Sequence, residues 1–213
     1  MRARRIVATL VATWLLPLAG CDEPPPCPLC PAIAQRAPQA VQALLDRGEP
    51  VTREALEKAI EPRRLDQRTQ FSLEPRDRRI AELLIARGDV NARWHVSASS
   101  GGRGSSTVRG SGYQRHLAAA VMVNWPDPAL VALLVQRGLD VKGEAGGEAL
   151  RAAAVAGSRD AVRAWIAAGA PVNHVGTEGS FGRTTALAEA IQRRDLAMIA
   201  DLEAAGALEW PDG

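Results

Sequence analysis

The stretch Ala161-Val162-Arg163-Ala164-Trp165-Ile166-Ala167-Ala168-Gly169-Ala170-Pro171-Val172-Asn173 decides how the chain is read. Val162 and Trp165 fall seven and four residues before Gly169, which puts both apolar side chains on one face of a helix. Gly169 stands where that helix must stop, in the left-handed conformation that glycine adopts without a Cβ clash. An extended segment follows. Four other stretches repeat the pattern: Val41 to Gly48, Ile80 to Gly88, Leu130 to Gly138 and Met198 to Gly206. Counting back four from each glycine gives Leu44, Leu84, Leu134, Trp165 and Leu202; counting back seven gives Val41, Ala81, Val131, Val162 and Ile199. The glycines at 48, 88, 138, 169 and 206 are 40, 50, 31 and 37 residues apart. That fits a unit of about 33 residues, lengthened by insertions in some copies.

Each unit has room for a second helix ahead of the first. Counting back 21 from Gly169 and Gly206 reaches Glu148-Ala149-Leu150-Arg151-Ala152-Ala153-Ala154 and Thr185-Ala186-Leu187-Ala188-Glu189-Ala190-Ile191. Both lie where ankyrin repeats carry their T-P-L-H-x-A-A helix start, and Gly169 to Asn173 resembles the G-A-D-V-N that follows their second helix. Glu54 to Ile60 and His116 to Ala119 fit more loosely, and the same count from Gly48 lands on Cys27-Pro28-Leu29-Cys30. The resemblance covers about 27–210. It implies an all-α ankyrin-repeat solenoid of about five helix-turn-helix units with long finger loops. Low aromatic content, 4%, and the scarcity of alternating β-branched residues point away from an all-β chain on independent grounds.

The departures from the repeat are specific. A polar insertion runs from Glu61 to Pro75, and Asn124-Trp125-Pro126-Asp127-Pro128 replaces a short turn. The connection from Asn91 to Gln114 is long and rich in Gly and Ser, and such loops are functional or unstructured more often than not. The first helix is short and rich in proline. The last carries Asp201 and Glu203 where other units are apolar, as expected of polar end caps on a monomeric stack. In ankyrin stacks the connecting loops form a concave binding strip. By that resemblance the partner-binding candidates are Arg93, Trp94, His95, Arg109, Tyr113 and Arg115 on the long loop, and His174, Glu178, Phe181 and Arg183 on the last one. Trp, Tyr and Arg are frequent anchors at interfaces. Trp94 and Tyr113 could equally cover the loop base, whereas Trp125 and Trp165 are expected in the core. His116 falls where ankyrin helices often place a histidine that bonds the neighbouring turn.

Upstream of the repeats lies an address. Residues 1–20 have the layout of a secretory signal: Arg2, Arg4 and Arg5, an apolar run from Ile6 to Leu16, then Pro17 and small residues. The run is shorter than the roughly 20 residues that a membrane-spanning helix needs. Leu18-Ala19-Gly20-Cys21 resembles the lipobox of bacterial lipoproteins, which implies cleavage before Cys21 and its acylation; a plain signal peptide ending in Ala-Gly-Cys is the alternative. Residues 21–26 then form a short proline-rich tether, and 27–213 the repeat domain. Asp22 after the cysteine resembles the signal that keeps enteric lipoproteins in the inner membrane. The formal charge of +2 falls to −1 once the three leader arginines are removed, leaving 23 basic against 24 acidic residues, a balance unlike that of nucleic-acid binders.

Reactive motifs are few. The sequence holds no G-x-S-x-G elbow, phosphate-binding G-x-x-x-x-G-K or H-E-x-x-H, so no catalytic residue, metal or cofactor is expected. Cys27 and Cys30 are the exception, with three readings open: a local disulfide, free or swapped thiols, or a metal or redox site. An oxidising compartment favours the first. His95, His116 and His174 are not spaced to add a second ligand pair. The expectation is therefore a lipid-anchored, periplasm-facing, monomeric binder of a protein partner, for example an immunity-type inhibitor of a toxic envelope-acting enzyme. A scaffold or accessory factor for an envelope enzyme is the alternative, and a thiol-active or metal-binding protein using Cys27 and Cys30 is the rival from another class.

Overall fold

The computed structural model describes residues 27–60, 74–96, 113–176 and 184–208. The leader, Cys21 and its tether, most of the polar insertion, Arg109, Glu178, Phe181 and Arg183 lie outside them. The described residues are mostly helical: α1 (Cys30–Ala34), α2 (Pro38–Asp46), α3 (Arg53–Ile60), α4 (Pro75–Ile85), α5 (Leu117–Asn124), α6 (Pro128–Gln136), α7 (Glu144–Ala156), α8 (Arg159–Ala168), α9 (Ala186–Arg193) and α10 (Leu196–Ala204). An antiparallel ribbon, β1 (Arg93–Val96) and β2 (Tyr113–His116), separates α4 from α5. The sequence reading expected a loop there.

Local chemistry explains where these helices begin. Proline occupies the first turn of α1, α2, α4 and α6, where its missing N–H costs nothing. Side-chain oxygens of Thr52, Asp127, Ser158, Thr185 and Asp195 accept the backbone N–H of Ala55, Ala129, Ala161, Ala188 and Met198. Each such cap contributes about 1 kcal/mol. α7 starts a full turn before the expected Glu148, because the pair Gly146-Gly147 reads as loop material yet is helical.

The ends are set by left-handed residues. Gly48, Gly138, Gly169 and Gly206 have φ between 85° and 88°. In each case the next N–H bonds a carbonyl five residues back: Glu49 to Leu44, Leu139 to Leu134, Ala170 to Trp165 and Ala207 to Leu202. Gly88 departs from the expectation, since it does not take a positive φ. The segment Gly88-Asp89-Val90-Asn91 is one residue shorter than Gly169 to Asn173, and the Gly88 N–H stays bonded to the Leu84 carbonyl at 2.7 Å. Glycine is needed there for room: a Cβ would sit 2.8 Å from the Leu84 oxygen and 2.9 Å from Val51 Cγ1. α7 closes on Gly157 in the same left-handed way, while α1 and α9 are followed by the non-glycine residues Arg36 and Arg194, at φ 52° and 58°.

Packing follows two rows. Along one, α1 lies on α3, α3 on α5, α5 on α7 and α7 on α9; along the other, α2 lies on α4, α4 on α6, α6 on α8 and α8 on α10. A single apolar core runs through them from Leu29 to Ala207, and includes Trp125 and Trp165 as expected. Ion pairs lace the second row: Arg87 to Asp46 at 2.8 Å, Arg78 to Asp127 at 2.6 Å, and Arg159 to Asp201. Asp201 is therefore held to α8, and is not simply a solvated end residue. Two asparagines clasp successive loops. Asn91 donates to the Gly138 carbonyl and accepts the Asp140 N–H, at 3.1 and 2.8 Å; Asn173 donates to the Gly206 carbonyl and accepts the Leu208 N–H, at 3.0 and 2.7 Å.

Candidate functional site

The ribbon sorts the residues read from the long loop. Arg93 pairs with His116, Trp94 with Arg115, His95 with Gln114 and Val96 with Tyr113. Side chains alternate across a strand, so Trp94 and Arg115 share one face while Arg93, His95 and Gln114 share the other. Trp94 is 1% exposed, which corrects its reading as a contact residue: it is the apolar base on which the ribbon sits. Arg93, His95 and Gln114 are exposed, and Arg115 is half-buried. The alternation in Arg93-Trp94-His95-Val96 was the signal for this strand. Tyr113 opens β2 opposite Val96. On the last connection His174 is half-buried, and an isolated antiparallel bridge joins Gly176 to Thr184 at its base. Both long connections thus close on antiparallel pairing just before a helix of the row that holds α5 and α9.

A polar cluster lies where β2 passes into α5. His116, Glu148 and Arg151 are buried, three of the four buried polar side chains among the described residues. His116 Nε2 stands 3.6 Å from an oxygen of Glu144, and neither ring nitrogen of His116 makes a hydrogen bond. The helix-start role implied for this histidine is therefore not the one it performs; the residue supplies the extended N-cap position of α5 with its backbone only. Glu144, Glu148 and Arg151 fall three or four residues apart on α7, hence on one face. His174 reaches over Gly147, where any Cβ would strike its ring, and Arg151 passes under Gly176 in the same manner. Burial holds His174 below its usual value of 6.5; Glu144 opposes this, and Arg151 and His116 add to it. The imidazole is thus kept neutral at neutral pH. This cluster was missed in the sequence because its members come from segments 116, 144–151 and 174, with no short motif joining them.

At the first end of the chain Cys27 and Cys30 are joined as a disulfide, with Cα atoms 5.3 Å apart. Open grooves on the second row, between α2, α4 and α6, are lined by Leu83, Leu130 and Leu133 with Arg79, Glu82 and Arg87 at their margins. Among the described residues no helix is long and apolar enough to cross a membrane. No protein-family model, no curated protein and no solved structure matches the chain.

Proposed function

We propose that the chain is a lipid-anchored, periplasm-facing ankyrin-repeat protein that grips a partner protein, acting as an immunity-type inhibitor of a toxic envelope-acting enzyme. The repeat reading is supported by helix pairs in two rows, by left-handed glycine ends at four equivalent places, and by the matching clasps of Asn91 and Asn173. The observation that carries the binding role is the pair of long connections entering α5 and α9 through antiparallel bases. They set Arg93, His95 and Gln114 at the surface beside a preorganised polar cluster. Connections whose two ends are held by strand pairing lose less freedom on binding than connections with free ends. The anchor reading rests on Leu18-Ala19-Gly20-Cys21, and the five residues after Cys21 would hold the domain within roughly 15 Å of the bilayer.

Mild crosslinking of the full chain in its own membranes, followed by purification, should recover one dominant protein. Joint replacement of Arg93 and His95 by alanine should abolish its recovery while leaving the far-ultraviolet circular dichroism intact. Recovery of a secreted toxin whose activity the chain blocks supports inhibition. An envelope enzyme whose activity is unaffected or raised would instead indicate a scaffold. Repeated failure to recover any protein would overturn the binding role.

A further inference from the structure

We propose that His116, Glu144 and Glu148 bind one divalent transition-metal ion of the zinc type, at the junction of the β2–α5 turn and the first turns of α7. One donor atom from each lies within 4.8 Å of the others, close enough for small side-chain rotations to bring all three within about 2 Å of a single ion. The backbone makes this possible: Glu144 and Glu148 are one helical turn apart on α7, and the α5–α7 packing brings His116 against them. His116 is 9% exposed, and its two ring nitrogens have no hydrogen-bond partner. A buried imidazole left so is costly, and a metal at Nε2 removes the deficit at that atom. His174 Nε2 is a second buried ring nitrogen with no hydrogen bond, on a ring that feels the charge of Glu144.

The donor set selects the class of ion. One imidazole with two carboxylates suits zinc or its neighbours in the transition series better than magnesium or calcium, which favour all-oxygen sites. Three protein donors leave one tetrahedral position open to water or to a group from a bound partner. Arg151, one turn beyond Glu148 on the same face of α7, is a buried cation. It offsets part of the charge of the two carboxylates, so the expected affinity is micromolar and not that of a tight structural site. This site does not depend on the partner-binding role.

The test is calorimetric titration of zinc into the full, disulfide-intact chain after chelator treatment. One equivalent should bind with a low-micromolar dissociation constant, weakened at least tenfold by His116→Asn and by Glu148→Gln. Glu144 has a side chain 62% exposed, so Glu144→Gln cannot disturb the core and should also weaken binding at least tenfold. Cys27, Cys30 and Glu54 form the other group of potential ligands among the described residues. Replacing both cysteines by serine should leave the zinc affinity unchanged, and cobalt should bind without a thiolate charge-transfer band. Absence of binding, binding indifferent to Glu144→Gln, or binding lost with the cysteines would overturn the proposal.

Discussion

Asn173→Ala removes a clasp whose two hydrogen bonds can be weighed one at a time. The side chain donates to the Gly206 carbonyl at 3.0 Å and accepts the Leu208 N–H at 2.7 Å, both near the surface. Exposed bonds fall at the low end of the net range, about 0.5 kcal/mol each, so the substitution should cost about 1 kcal/mol. For a domain of this size that is a drop of about 2–4 °C in Tm. Asn91→Ala removes the same pair of contacts, to Gly138 and Asp140, from the middle of the rows. The local cost is equal, but its consequences differ if each helix pair leans only on its neighbours. Asn173→Ala should lower amide-exchange protection in α9 and α10 and leave α1 to α4 unchanged, whereas Asn91→Ala should weaken the junction between α4 and α6. Asn173→Asp keeps the acceptor for the Leu208 N–H and loses the donor to the Gly206 carbonyl, so it should cost about 0.5 kcal/mol, half the loss of the alanine variant. Uniform loss of protection through α1 to α4 in Asn173→Ala would refute the neighbour-only coupling. A change below about 0.3 kcal/mol in both variants would refute the clasp.

Arg194→Gly should stabilise the chain by about 0.5–1 kcal/mol, read from urea midpoints, since an arginine at φ 58° holds a conformation that costs a Cβ clash and glycine does not. Asp127→Ala should cost about 1–2 kcal/mol through loss of the α6 cap, while Asp127→Asn keeps the cap and loses only the Arg78 pair. The N–H of Ala129, and then Arg78, hold the Asp127 carboxyl below its usual 3.8. Its contribution is thus complete above that value and is lost as pH falls through the lowered folded value, so urea midpoints of the wild type should fall more steeply than those of Asp127→Asn as acid is added below about pH 4. Cys21→Ser should move the chain from the membrane fraction to the soluble one, checked by fractionation and by loss of acyl mass; an unchanged distribution would refute acylation at that residue.

The periodic part of the fold was legible because it is local. Leu84, Leu134, Trp165 and Leu202, found by counting back from glycines, are fully buried. In the first unit Val41 is buried as counted, but Leu44 is only partly so and its neighbour Leu45 is buried. What could not be read depends on neighbours distant in sequence. Trp94 fitted an interface anchor and a cover for the loop base equally well in the sequence, and its burial in the ribbon opposite Arg115 selects the second. The start of α7 was missed because a Gly-Gly pair lowers helix propensity, by about 1 kcal/mol per glycine. Tertiary contact overrides that: a Cβ at Gly146 would run into the Val141 backbone, and one at Gly147 into His174.

These glycines divide into two kinds, and the division bears on function. Gly48, Gly138, Gly169 and Gly206 are there for their φ and close four of the five helix pairs, with nothing or only loose contact around a notional Cβ. Gly146, Gly147 and Gly176 are there for space and follow no period. The space at Gly147 and Gly176 admits His174 and Arg151, and Gly146 brings the first turn of α7 against Val141, so that Glu144 and Glu148 stand beside His116. The first kind turns the chain after α2, α6, α8 and α10, but nothing in helix stacking calls for the second. Glycines that seat a half-buried histidine and a buried arginine, at Gly147 against helix propensity, mark the place where this chain departs from what helix stacking alone demands, and the cluster they enclose is where chemistry specific to this protein is to be sought.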